Sequence, residues 1–167
     1  MFACTDVDYR MDDSARAAAV FFESWTDEKP SLERVERLAN VAPYQAGQFY
    51  QRELPCLLAV LDGHLRDLEA VIIDGYVTLD IAGRSGLGQH LFEALGGQIP
   101  VIGVAKTAFQ GSPHAAQVLR GTSQTPLYIT AAGIGVQEAA QHILEMHGAH
   151  RMPTLLKRVD RLCREVT

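Results

Sequence analysis

Residues 69–75 read Glu69-Ala70-Val71-Ile72-Ile73-Asp74-Gly75, a short apolar run that ends in an acid and a glycine. An unbroken run of this length, bounded by turn residues, reads as a strand buried on both faces that ends at its loop, as in a parallel sheet. Downstream, Gly83 to Gly88 forms a glycine-rich loop, and a helix is expected near Leu87 to Leu95. Pro100 to Ala105 and Pro126 to Thr130 read as further strands. A helix over roughly Val136 to His147 follows, and a last one starts near Pro153, where proline suits a first helical turn.

Upstream, Phe49, Leu54, Leu57, Leu58 and Leu61 form one apolar stripe on a helix between Gly47 and Leu61. Phe2 to Tyr9 and Ala15 to Trp25 read as strands joined by the polar turn Arg10 to Ser14. The alanines of the second strand suit a helix equally well by propensity. Leu32 to Val41 is a third strand candidate with the same ambiguity. The order is β-β-β-α-β-α-β, then a strand and two helices. Antiparallel hairpins followed by α/β alternation imply an α/β fold, a mixed sheet with helices on both faces. No linker or repeat interrupts residues 1–167, which read as one domain.

Composition narrows the function classes. The chain is 47% apolar and 21% charged, the balance of a globular protein. No apolar run approaches the ~20 residues that span a bilayer. The N-terminus, Met1-Phe2-Ala3-Cys4-Thr5-Asp6, lacks the basic and apolar regions of a secretory signal, so a cytoplasmic protein, monomeric by default, is expected. Cys4, Cys56 and Cys163 are odd in number and widely spaced, which fits buried thiols and not a disulfide framework or a zinc site. The net charge of −5 speaks against a protein that coats nucleic acid electrostatically. Residues 151–167 nevertheless carry five bases against two acids, either a solvated helix face or a surface for phosphates.

Acids stand where chemistry would need them. Asp6 and Asp8 share one face of the first strand by alternation. Asp74 ends the strand quoted above, and ligands of α/β sheets gather beyond the carboxyl ends of strands. If the first and fourth strands are neighbours, Asp6, Asp74 and the helix-borne Glu53 can converge. Clustered carboxylates repel and raise one another's pKa, a cost that a Mg²⁺ or Mn²⁺ ion removes. Taken singly, each acid has a plainer role: a turn former at Asp74, surface decoration at Glu53, an i,i+3 partner of Lys157 at Asp160.

Several blocks of this sequence resemble the endonuclease V family. They are Pro43-Tyr44 with Gly47, Arg52-Glu53-Leu54-Pro55, Asp74-Gly75, Pro100 to Lys106, Pro126 to Thr130, and Gly148-Ala149-His150-Arg151-Met152-Pro153. The resemblance implies a ribonuclease H-like fold and Mg²⁺-dependent cleavage of DNA or RNA near inosine. It further implies metal ligands Asp6, Glu53, Asp74 and Asp160, a catalytic lysine at Lys106, and substrate contacts from Tyr44, Gly75 and Arg151. Tyr44 falls where the family places a strand-separating wedge. Departures fall in the base-recognition elements. The wedge continues Gln45-Ala46-Gly47 instead of Ile-Pro-Gly, and Tyr76-Val77-Thr78-Leu79-Asp80 replaces a loop bearing histidine and arginine.

Two other readings remain at this point. One is a ribonuclease H-like nucleic-acid binder without inosine specificity or without catalysis. The other is a dinucleotide enzyme, because Gly133-Ile134-Gly135 follows a strand and opens a helix, although Glu138 stands where the third glycine belongs.

Overall fold

A computed structural model describes residues 1–39, 41–43, 45–110 and 112–165. The strands are β1 (Phe2–Tyr9), β2 (Ala15–Phe22), β3 (Leu32–Leu38), β4 (Ala70–Asp74), β5 (Val101–Ala105), β6 (Ala116–Val118) and β7 (Leu127–Ala132). They form one seven-stranded sheet in the order β3-β2-β1-β4-β5-β7-β6. The first three strands are antiparallel neighbours, and β1, β4 and β5 run parallel. This is the mixed α/β arrangement of the ribonuclease H-like class.

The alanines of β2 are resolved as strand because both faces of β2 are covered. Ala15, Ala17, Ala19 and Phe21 lie on the face covered by α1 (Phe49–Leu61), whose layer α2 (Leu87–Ala94) extends over β5 and β7. Ala18, Val20 and Phe22 lie on the face covered by α4 (Thr154–Arg164), whose layer α3 (Val136–Glu145) extends over β6 and β7. Burial of Phe21 and Phe22, neither exposed to solvent, outweighs the small helical preference of alanine, which is below ~1 kcal/mol per residue. The strand stops at Phe22, short of Trp25, which stacks on His142 with ring centroids 4.4 Å apart. β3 closes one edge with the alternating charges Glu33, Arg34, Glu36 and Arg37, side chains that discourage pairing with another sheet.

Two features differ from the sequence expectation. β6 has only three residues, too few to show a period, and was not anticipated. β7 runs antiparallel to β5, so the alternating parallel pattern stops at β5. The chain returns through a hairpin with β6, and a hairpin needs no crossover helix. That geometry removes the dinucleotide reading of Gly133-Ile134-Gly135, which requires a parallel βαβ unit.

Candidate active site

The pairing of β1 with β4 decides where the acids meet. Thr5 lies opposite Ile73 in parallel register, so Asp6, still within β1, stands beside Asp74 at the carboxyl end of β4. β5 continues the pattern, with Val104 opposite Asp74, and Lys106 follows directly after that strand. The Lys106 ammonium donates to Asp74 Oδ2 at 2.6 Å. Asp160 arrives from α4, which packs on β1. Asp6, Asp74, Lys106 and Asp160, with Thr5 and Lys157, line a cleft of about 130 Å³.

Each acid is held differently. Asp6 Oδ1 accepts the Val7 amide at 2.9 Å, and the buried Cys163 thiol lies 3.7 Å from Asp6 Oδ2. Burial pushes the Asp6 carboxyl up to about 6; the Val7 hydrogen bond opposes this, the charges of Asp74 and Asp160 add to it, and Lys106 counteracts it. Glu53 reaches the site from α1, on the other helical layer. It is only 6% exposed and does not line the cleft. Burial pushes its carboxyl up to about 8, with the charges of Asp6 and Asp74 adding and Arg52 opposing. Asp160 is bonded by Arg164, whose guanidinium lies 2.9 Å from Oδ1 one turn on; the i,i+3 pair with Lys157 expected from sequence is not formed.

Burial lowers the Lys106 pKa, but its bond to Asp74 and the charges of Asp74, Asp160 and Asp6 more than offset this, so the net shift is upward. The residue is therefore an ammonium at neutral pH.

Among the described residues, no three His, Cys, Asp or Glu side chains stand together as a closed ligand set. The donor chemistry still fits a hard divalent ion. Mg²⁺ commonly takes one or two carboxylates and keeps several waters, and adjacent Asp6 and Asp74 with Asp160 nearby offer oxygen ligands of that kind. Burial is the main cause of the upward shifts at Asp6 and Glu53, and the neighbouring acids add to it; a bound cation would offset both effects.

The remaining sequence-named residues are placed as follows. Gly75 takes φ 136°, turning the chain away after Asp74, and its amide donates to Val104 O at 3.1 Å. A side chain at Gly103 would meet Gly75 O at 2.5 Å, so the strand exit depends on a bare backbone there. Arg151 donates to Pro126 O at 2.7 Å and to Lys106 O; it braces the segment that carries the lysine. Tyr44 lies outside the described residues.

The family's sequence profile matches residues 1–142 as endonuclease V. The chain belongs to the endonuclease V family. Endonuclease V of Streptomyces coelicolor is 29% identical over 96% of this chain and 77% of its own length. That of Rhodospirillum centenum is 31% identical over 85% of this chain and 66% of its own. Among solved structures, human endonuclease V superposes with a TM-score of 0.77 at 22% identity, covering 98% of this chain and 82% of its own. Ciona intestinalis endonuclease V, bound to inosine-containing DNA, superposes with a TM-score of 0.79 at 18% identity, covering 98% and 84%. Likeness at these identities establishes the shared fold.

Within this endonuclease V framework the replaced loop after Gly75 has its own bracing. The Tyr76 phenol donates to Thr107 O at 2.7 Å and stands 2.6 Å from Ser112 Oγ. His114 Nε2 lies 2.8 Å from Thr78 O, and the Arg84 guanidinium sits 5.7 Å above the Phe109 ring. A histidine and an arginine thus return beside the loop from other positions, which no local pattern announced.

Arg120 was also unforeseen. It is 5% exposed and donates to His150 O at 2.8 Å and Gly148 O at 3.2 Å, fixing the turn that carries Arg151. The glycine-rich loop Gly83 to Gly88, by contrast, binds its own chain. Gly86 N donates to Val77 O at 2.8 Å and Gly88 N to Tyr76 O at 3.1 Å, which spends the first amides of α2 that a phosphate would use.

Proposed function

We propose that this chain is a metal-dependent endonuclease that hydrolyses phosphodiester bonds in DNA or RNA beside deaminated adenine, with Mg²⁺ as the cofactor and Mn²⁺ as a substitute. The observation that carries the reading is the parallel pairing of β1 with β4, which sets Asp6 beside Asp74 with Lys106 bonded to the latter. Asp6, Asp74 and Asp160 are the ligands we assign to the cation, and Glu53 supports them from behind. When bound, a divalent ion activates water and stabilises the leaving oxygen of a phosphodiester.

The side chains do the rest. Lys106 keeps its proton, so it acts through charge: its ammonium offsets the negative charge that develops on the scissile phosphate. Asp74 holds that ammonium at 2.6 Å and fixes its position. Arg151 bonds the Lys106 carbonyl, and Arg120 holds the turn that carries Arg151. Tyr44 and Gly75 are assigned to the substrate, Tyr44 as the wedge beside the extracted base and Gly75 as the bare backbone at the strand exit.

The test uses end-labelled DNA and RNA oligonucleotides, each with and without one inosine, in Mg²⁺, Mn²⁺ and EDTA. Metal-dependent cutting beside inosine is expected. Cutting without inosine preference would retain the chemistry and refute the specificity, and the rebuilt loop around Tyr76 would be the reason. Absence of cutting in either metal would leave a nucleic-acid binder.

A further inference from the structure

Lys157 borders two concavities. One is the acidic cleft; the other is a wider groove of about 430 Å³ walled by Lys29, His147, His150, Lys157, Arg158 and Arg161. Thr154, Lys157, Arg158 and Arg161 fall at i, i+3, i+4 and i+7 on α4 and present one face to this groove. Lys29 belongs to the turn between β2 and β3. That turn lies at the amino end of β1, because Phe22 pairs with Phe2. The groove therefore leads from the cleft along α4 toward the opposite end of the sheet.

The charges in the groove are unevenly committed. Arg158 is spent internally, with Glu33 carboxylate oxygens at 2.6 and 2.7 Å and Glu165 at 2.5 Å. Lys29, Lys157 and Arg161 form no ion pair among the described residues. Elsewhere on the surface Arg10, Arg34, Arg37, Arg84 and Arg164 each face a carboxylate. Lys157 and Arg161 are also like charges four residues apart, a spacing that is unfavourable on a helix. A plain solvated face would be relieved by an acid at one of these positions. Among the described residues, Glu28 is the one carboxylate lining the groove, in a protein whose net charge is −5.

We propose that this groove is a track for the sugar-phosphate backbone of a single nucleic-acid strand, which enters or leaves the acidic cleft past Lys157. Lys29, Lys157 and Arg161 contact successive phosphates, and Arg158 anchors α4 as the floor. The proposal rests on the nuclease reading of the cleft and adds the path of the substrate beyond the cut. It also accounts for an overall acidic protein binding a polyanion: the cations Lys29, Lys157 and Arg161, which no carboxylate among the described residues neutralises, line one groove.

The experiment measures binding of labelled single-stranded DNA by the full chain in EDTA, which separates binding from cutting. One strand is just long enough to fill the cleft, and one is long enough to cover the groove. Lys29→Ala with Arg161→Ala is expected to abolish the affinity gained with length. It should also reduce the slope of log K against log salt by about 1.4, because each single-strand phosphate contact contributes ~0.7. Arg66→Ala removes an exposed cation that lines neither concavity and should leave the slope unchanged. Thermal melts exclude misfolding, and Arg161→Glu should deepen the loss without altering the melt.

Unchanged affinity and slope in the double variant would overturn the track while leaving nuclease activity standing. An equal effect of Arg66→Ala would overturn it as unspecific attraction. Length-dependent binding lost in the double variant would support the track even if the wild type cuts nothing, in which case the nuclease reading alone fails. A wild type that binds neither strand would overturn the track and leave the nuclease reading to the cleavage assay, since the cleft's carboxylates repel phosphate when no cation is bound.

Discussion

Replacing Glu53 by Gln, with divalent cations chelated, should stabilise the fold at neutral pH while removing activity. Glu53 is 6% exposed on α1, and burial, with the charges of Asp6 and Asp74, lifts its carboxyl from 4.5 to about 8. Between those two values the folded protein holds a proton that the unfolded chain has lost. Stability therefore falls as pH rises through this window, by about 1.4 kcal/mol per unit. From the unfolded pKa to neutrality the loss is roughly 3 kcal/mol. Glutamine has the same shape and does not titrate, so the variant escapes that loss. Urea titrations of both proteins in EDTA at several pH values should show unfolding free energies that nearly coincide in mild acid and separate by about 3 kcal/mol at neutrality. For a chain of this size that gap corresponds to a melting difference of about 6–12 °C. A gap that does not change with pH, or a variant less stable at neutral pH, would refute the claim that a buried, repelled carboxyl sits at position 53. The activity loss with a gain in stability would mark Glu53 as a residue kept for function at a cost to folding.

Asp74→Asn should abolish cleavage with little change in the melting temperature, since Asp74 is partly exposed and the amide keeps its shape; full activity in this variant would remove the cation assignment. Lys106→Ala should lower kcat by about 10²–10³-fold with a smaller effect on KM, the pattern of a charge needed in the transition state. Equal losses in kcat and binding would make Lys106 a substrate anchor instead. Tyr44→Ala should reduce cutting of duplex more than of single strands, because a wedge matters only where a base must leave a stack; comparable losses on both would exclude that role.

Local sequence carried the architecture up to β5. The apolar run ending at Asp74 and Gly75 was legible as a buried strand because covered strands show no alternation. The hairpin of β1 and β2 was legible from its turn chemistry, although the alanines of β2 left a helix equally open. The acids themselves were visible as types at strand ends, and the blocks around Arg52-Glu53, Asp74-Gly75 and Lys106 marked the family.

What the sequence left open was every contact between distant residues. Asp6 and Asp74 share a site only because β1 lies beside β4 in parallel register. The ammonium on Asp74, the Arg164 partner of Asp160 and the thiol near Asp6 depend on the same packing. β7 reverses direction because a three-residue β6 offers it a hairpin partner, a choice too local in space and too short in sequence to leave a pattern. Arg151 turned inward to brace backbone carbonyls, and Arg120 with it, because buried carbonyl oxygens need donors wherever the chain turns. Residue chemistry and periodicity determine which strands and acids the protein has. Strand pairing and the packing of α1 and α4 on the sheet decide which of them meet, since such neighbours are chosen by the whole fold and not by the residue.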